Sequence, residues 1–293
     1  MNTSPSQSLP ARTAATLLAA TLLGPVCAAS AFAQDGVDIG KSSVFANLIP
    51  AEQLEQEAAK QYLSLRKDAS AHKALAADDH PQLKRLRAIS ARLLPFAERW
   101  NPRAKDWKWE INLIGNTEVN AFCMPGGKIA FYSGLIKTLE PSDDEIAIVM
   151  GHEVAHALRE HARARMGKSE LTNAGVNILS TVLGLGSAGN LLASAGQQLL
   201  TLKFSRSDET EADLVGMDMA ARAGYDPRAG ILLWQKMAKA SAGGKLEFLS
   251  THPSDESRIA EIRRNLDSVL PLYAAAKKVS LDALPAYPGV NYP

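Results

Sequence analysis

Cysteine is nearly absent. The 293 residues hold two, Cys27 and Cys123. The first lies in a segment that reads as a removable leader, so an intramolecular disulfide is excluded for the mature chain in any compartment. An excess of one charge is absent too. Lys and Arg number 32 against 31 Asp and Glu, a formal net charge of +1. No basic block stands out, so no nucleic-acid partner is expected. Internal repeats are lacking, which argues against solenoids and propellers. The chain also has little that could span a bilayer. Ala14 to Ala29 is apolar but short and broken by Gly24 and Pro25. Leu171 to Leu202 carries no charge, yet Asn173, Asn177, Asn190, Gln197 and Gln198 interrupt it. At 46% hydrophobic and 22% charged, what remains is the composition of a folded chain.

The first residues have the layout of a secretory signal. A polar start with Arg12 precedes the apolar run, and Ala31-Phe32-Ala33 gives an A-x-A pattern before Gln34. Cleavage is expected after Ala33, which marks a secreted chain. Cys27 follows Gly24-Pro25-Val26, a poor setting for lipid attachment. Residues 34–50 read as a linker, 51–270 as the main domain, and 271–293 as a Pro-rich tail.

Within the domain, Ala51 to Ala69 and Pro81 to Trp100 carry apolar residues at helical spacing. From Asp106 to Gly115 the period changes: Trp107, Trp109, Ile111 and Leu113 alternate with polar residues, a half-buried strand pattern. Two short strands, Ala121 to Met124 and Lys128 to Tyr132, flank Pro125-Gly126-Gly127. Ser142 with Glu145 three residues on predicts a capping box and a helix to about Met166. Leu171 to Leu202 reads as a buried helical hairpin, with a peripheral membrane contact as the alternative. Helices are further expected over Ser207 to Arg222, Pro227 to Ala240 and Ser254 to Leu266. The fold class is α+β and mainly helical, with a sheet of about three or four strands.

The chemistry lies in His152-Glu153-Val154-Ala155-His156, an H-E-x-x-H sequence. Helical residues four apart share a face, so both imidazoles reach one metal ion. Glu153, about 100° around, lies beside it. His161 is five residues from His156, off the ligand face, and reads as structural or surface. A catalytic zinc takes a third protein ligand. Asp208, Glu209 and Glu211 are the candidates. Glu209 and Asp213 are four apart and share a face, whereas Glu211 and Asp213 do not. Glu209 is therefore the expected ligand. Asp213 is the expected acceptor for the free ring nitrogen of a ligand histidine. Cys123 reads as a small buried hydrophobe. Gly184-Leu185-Gly186-Ser187-Ala188-Gly189 spells G-x-G-x-x-G but follows no clear strand, so no nucleotide site is expected.

Four motifs in order carry a family resemblance. They are Asn120-Ala121-Phe122-x-Met124-Pro125-Gly126-Gly127, the H-E-x-x-H, Ser205-Arg206-x-x-Glu209-x-x-Ala212-Asp213, and His252-Pro253 with Arg258. Together they span roughly Trp107 to Leu266. They resemble the gluzincin metallopeptidases that include the CaaX prenyl-protein endopeptidase, HtpX and Oma-type proteases. The secreted layout is most similar to the bacterial periplasmic, beta-barrel assembly-enhancing branch, without a tetratricopeptide pattern after Leu266. The resemblance implies a zincin-like domain that binds one Zn²⁺ per chain through His152, His156 and Glu209, with Glu153 as base. It implies that Asn120, Ala121, Gly126 and Gly127 bind substrate along an edge strand. It implies either that His252 and Arg258 stabilise an oxyanion or that His252 is a fourth zinc ligand at rest. The implied substrates are misfolded or stalled envelope proteins. The alternative is a zinc-binding chaperone or assembly factor with minor proteolysis.

Overall fold

The computed structural model describes residues 36–173, 199, 202–242, 246–252 and 256–290. The expected leader, Cys27, the glycine-rich decoy, Pro253 and most of Leu171 to Leu202 lie outside the described residues.

The sheet begins with β1 (Glu110–Ile114), β2 (Ala121–Met124) and β3 (Lys128–Tyr132), in spatial order β1-β3-β2. β1 runs parallel to β3, and β2 pairs with β3 antiparallel, so β2 is an edge strand. The connection between β2 and β3 follows from its residues. Gly127 N–H donates to the Met124 carbonyl at 3.1 Å, and Gly126 has φ of 81°. Pro followed by a positive-φ glycine suits a type II turn. A side chain at Gly127 would have its Cβ 2.7 Å from the Trp109 ring.

Two helical layers enclose the sheet. On one side α1 (Ala51–Ala71) lays Ala58 and Tyr62 against Ile114, Ala130 and Tyr132. On the other, α2 (Pro81–Leu93) and α4 (Asp143–Leu158) pack Leu86, Ile89, Ile146 and Met150 with Leu113, Ile129 and Phe131. β1 is therefore buried on both faces, not half-buried as its alternation suggests. Asn112, read as outward, is 5% exposed and donates to the Tyr62 hydroxyl and to Glu110. α1 covers the face that the pattern leaves to water, and the amide stays there because its hydrogen bonds are made.

α3 (Ser133–Leu139) leads to α4, which begins with the expected capping box of Ser142 and Glu145. Every residue from Glu145 to Leu158 is buried, so α4 is the central helix. It stops earlier than its composition predicts. Arg159 caps it, Glu160 takes φ of 57°, and α5 (His161–Asn173) starts on a new axis. α6 (Arg206–Arg222) crosses α4 where two glycines meet. A Cβ on Gly216 would lie 2.7 Å from the His152 nitrogen, and one on Gly151 would lie 2.8 Å from the Gly216 carbonyl. This backbone-to-backbone approach brings the H-E-x-x-H face onto the Glu209 face.

Among the described residues, α7 (Ala229–Ser241), the short α8 (Glu247–Thr251) and α9 (Glu256–Lys277) follow. α9 runs eleven residues past the expected Leu266 and through Pro271. Part of the tail is packed rather than free: Val290 is buried and Arg228 donates to the Pro285 carbonyl. Residues 36–50, read as a linker, are likewise held. Val37 N–H donates to Asp218, and Val37, Ala46 and Ile49 are buried. Among the described residues, no helix is long and apolar enough to cross a membrane.

Candidate metal centre

Four side chains converge. His152 and His156 come from α4, Glu209 from the first turn of α6, and His252 from the residue that caps α8. Their ligand atoms all lie within 4.8 Å of one another. His152 Nε2 is 3.1 Å from His156 Nε2 and 3.3 Å from His252 Nδ1. Glu209 Oε1 is 3.0 Å from His252 Nδ1 and 3.5 Å from His156 Nε2. All four residues are at most 3% exposed.

The arrangement fits a zinc ion on its own evidence. Three imidazole nitrogens and a carboxylate aim at one point, a donor set that Zn²⁺ takes readily. Two buried carboxylate oxygens beside that point, Glu209 Oε2 and Glu153 Oε1, have no hydrogen bond. Buried polar atoms are rarely left so. Arg258 Nη1 comes within 2.7 Å of Glu209 Oε2. That approach is an ion-pair contact and not an aligned hydrogen bond.

The electrostatics of the four groups differ without an ion, and His152 has to release a proton to bind one. Burial works to raise the Glu209 pKa, but the His152 and His252 rings beside it overcome that and hold the carboxyl well below its usual range. Burial would lower His152, yet Asp213 and Glu209 push it up to about 9 in the metal-free site. His156 is driven down by burial and by the neighbouring histidines, so it stays neutral, as a ligand must. Burial raises Glu153, against the pull of His252 and His152.

Asp213 Oδ1 lies 2.9 Å from His152 Nδ1, the ring nitrogen turned away from the cluster. Arg258 grips the same carboxylate with Nε at 2.8 Å and Nη2 at 2.7 Å. Its guanidinium carbon sits 3.6 Å from the Trp234 ring centroid. The Arg258 guanidinium is thus committed to Asp213, contacts Glu209 and stacks on an indole, and Arg258 is not among the residues lining the cleft described next.

The cleft runs along β2. Asn120, Cys123, Glu153, Phe204, Thr251 and His252 are among its walls. Phe204 stacks on the ligand His156 with ring centroids 3.9 Å apart. Of the proposed substrate-binding residues, Asn120 and Ala121 line this cleft. Gly126 and Gly127 do not, because they form the turn at the far end of β2. Cys123, read as a small buried hydrophobe, is only partly buried, and desolvation pushes its thiol pKa up. A larger cavity, about 720 Å³, lies between Lys73–Ala77 and Ser133–Glu140 and contains none of the ligand residues.

Sequence reasoning missed three neighbours. Phe204 and Trp234 gave no pattern-level signal, since an aromatic beside a metal site looks like any core aromatic. His161, set aside as off the ligand face, is 3% exposed and 2.9 Å from His156. The turn at Glu160 is what redirects it.

The model of peptidase family M48 matches residues 80–266 of the 293. The chain belongs to peptidase family M48. Similar proteins include the mitochondrial metalloendopeptidase OMA1 of Arabidopsis thaliana, 39% identical over 51% of this chain and 30% of that protein. The OMA1 of Schizosaccharomyces pombe is 36% identical over 54% and 46%. The beta-barrel assembly-enhancing protease of Yersinia pestis is 32% identical over 54% and 35%. The chain thus matches a third to a half of the length of these relatives. All of the clustered side chains of this M48 domain fall inside the matched residues.

Proposed function

We propose that this M48 chain is a zinc-dependent endopeptidase of the bacterial envelope that cleaves misfolded or stalled envelope proteins. One observation carries the reading: of the His152, His156, Glu209 and His252 cluster, His156 and His252 line a cleft together with Glu153 and the edge strand β2. Zinc held there supplies Lewis-acid polarisation of a peptide carbonyl and lowers the pKa of water. The remaining work belongs to the chain. Glu153, buried with one oxygen unpaired and its pKa raised, takes up a proton from the attacking water and returns it to the leaving amine. An extended substrate adds to β2 by strand pairing, a mode open to unfolded chains and closed to compact ones. His152 is kept in register by Asp213 and Arg258.

His252 is assigned as a fourth ligand at rest. Its Nδ1 points into the cluster, while Nε2 is 3.7 Å from Glu153 Oε1. A fourth protein ligand closes the position that catalysis keeps open, so the resting chain is latent. That feature favours a second reading, a zinc-binding assembly factor with minor proteolysis. Residues 1–33 are taken as the signal peptide that delivers the chain to the periplasm, on the strength of the A-x-A pattern at Ala31–Ala33.

The test is casein cleavage by the chain from Gln34, alongside Glu153→Gln and His252→Ala, with zinc quantified in each. Cleavage that vanishes in Glu153→Gln at unchanged zinc content, and rises in His252→Ala, is the expected result. Full zinc occupancy with no cleavage in any variant would favour the assembly-factor reading. Lack of zinc in the wild type would sink both.

A further inference from the structure

The two histidines of the H-E-x-x-H are supported differently. His152 has a carboxylate, Asp213, directly on its outer nitrogen. His156 has none. Its Nδ1 lies 2.9 Å from Nδ1 of His161, and the other nitrogen of His161, Nε2, lies 3.2 Å from Glu211 Oε2. The second oxygen of Glu211 is bound by Arg159 Nε, and Arg159 Nη2 donates to the Gly40 carbonyl at 3.0 Å.

We infer that Glu211 and His161 form a relay that fixes the tautomer and ring orientation of His156, making them positioning residues for the metal site. The hydrogen-bond inventory gives the direction. A carboxylate only accepts, so the proton on the Glu211 side belongs to His161 Nε2. An imidazole that carries its one proton on Nε2 presents a bare Nδ1, which can only accept. The proton between the rings therefore sits on His156 Nδ1. That leaves the lone pair on His156 Nε2, the atom that faces the cluster. The opposite assignment would place a proton on Nε2 and turn a donor toward the ligand atoms of His152 and Glu209. One carboxylate thus acts on His156 through an intervening ring, where the other acts on His152 directly.

The backbone explains how His161 reaches this place. On a continuous helix it would stand about 140° around from His156. The left-handed turn at Glu160 (φ 57°) ends α4 and returns the first residue of α5 over the His156 ring. His161 and Arg159 are 3% and 6% exposed. Arg159 and His161 pair the two oxygens of the half-buried Glu211 carboxylate, and its pKa is held down by His161 and Arg159 against the effect of burial.

The inference rests on the zinc-ligand reading of His156, and the experiment separates the two. Zinc dissociation constants are measured by chelator competition for wild type, His156→Ala, His161→Leu, His161→Asn and Glu211→Gln, with far-ultraviolet circular dichroism and chelated-state melting as checks on folding. If wild type binds no zinc, or His156→Ala binds it as tightly, the ligand reading fails. If that reading holds, His161→Leu should weaken zinc by about 10–100-fold, the range typical for loss of an outer hydrogen-bond partner. His161→Asn, whose side-chain oxygen can accept in place of Nδ1, should recover most of the loss. Glu211→Gln should fall between wild type and His161→Leu. Wild-type affinity in His161→Leu would overturn the relay, as would equal loss in His161→Leu and His161→Asn when both remain folded. The Co²⁺-substituted protein gives a second readout: the visible bands should shift in His161→Leu and return toward wild type in His161→Asn.

Discussion

At the scale of single residues, Arg258 faces two buried carboxylates, Asp213 and Glu209. It is 4% exposed and joins Asp213 by two hydrogen bonds while contacting Glu209. Arg258→Met keeps the apolar stem over Trp234 but strands two buried carboxylates. Removing one partner of a buried pair costs about 3–5 kcal/mol, and we expect a loss in that range by urea unfolding. Combining it with Asp213→Asn should cost less than the sum of the single variants, because each removes what the other leaves unpaired. The residues of this site differ in how well the sequence announces them. His152, His156 and Asp213 are legible because helix periodicity alone places them on facing stripes. Arg258 is found by motif, yet its role is not, since a helix six residues on from His252 gives no hint of which way a guanidinium turns. His161 is misread for a definable reason: the periodicity argument assumes an unbroken helix, and one residue with positive φ breaks it.

At the scale of elements, the site exists because α4 and α6 approach backbone to backbone. Gly216 permits this. A methyl group there would stand 2.7 Å from the His152 nitrogen, with no flexible side chain to yield. Gly216→Ala is therefore expected to push the helices apart, costing about 1–3 kcal/mol as overpacking does, and to weaken zinc binding by displacing Glu209 from His152. Gly230 on α7 is the control. Its nearest neighbours would be 3.7 Å from a new Cβ, an ordinary contact, and it is helical without positive φ. Gly230→Ala should stabilise by about 0.4–1 kcal/mol through reduced unfolded-state entropy with zinc affinity unchanged. Thermal melting of both variants, with and without chelator, reads each effect. The crossing also marks where sequence reading stops. β2, β3 and the capped start of α4 are visible from alternation, turn residues and a capping box, all short-range signals. The parallel pairing of β1, the burial of Asn112 and the short α8 are set by what packs on them from elsewhere in the chain, and no local window contains that information.

At the scale of the whole molecule, the ligands tie together segments that are otherwise held very unequally. α4 is buried from Glu145 to Leu158 and would stay in place without any ion. α8 has five residues. It is anchored by Phe248, whose N–H donates to the Val119 carbonyl, by the Phe204 N–H to the Thr251 carbonyl, and by His252 itself. A ligand that binds only the folded state stabilises by RT ln(1 + [L]/Kd), about 4 kcal/mol at a thousandfold excess over Kd. That stabilisation should not be shared evenly. Hydrogen exchange compared with and without chelator should show protection falling in residues 246–252 and in the first turn of α6. β1, β3 and the middle of α4 should change little, since local openings there expose core rather than site. Uniform loss of protection would make the metal a determinant of the global fold. Loss confined to the His252 segment would instead describe a domain whose scaffold is complete without zinc and whose short α8 is docked by it. In that case the proposed release of His252 from the cluster involves one of the least firmly held pieces of the structure, leaving the two crossed helices undisturbed.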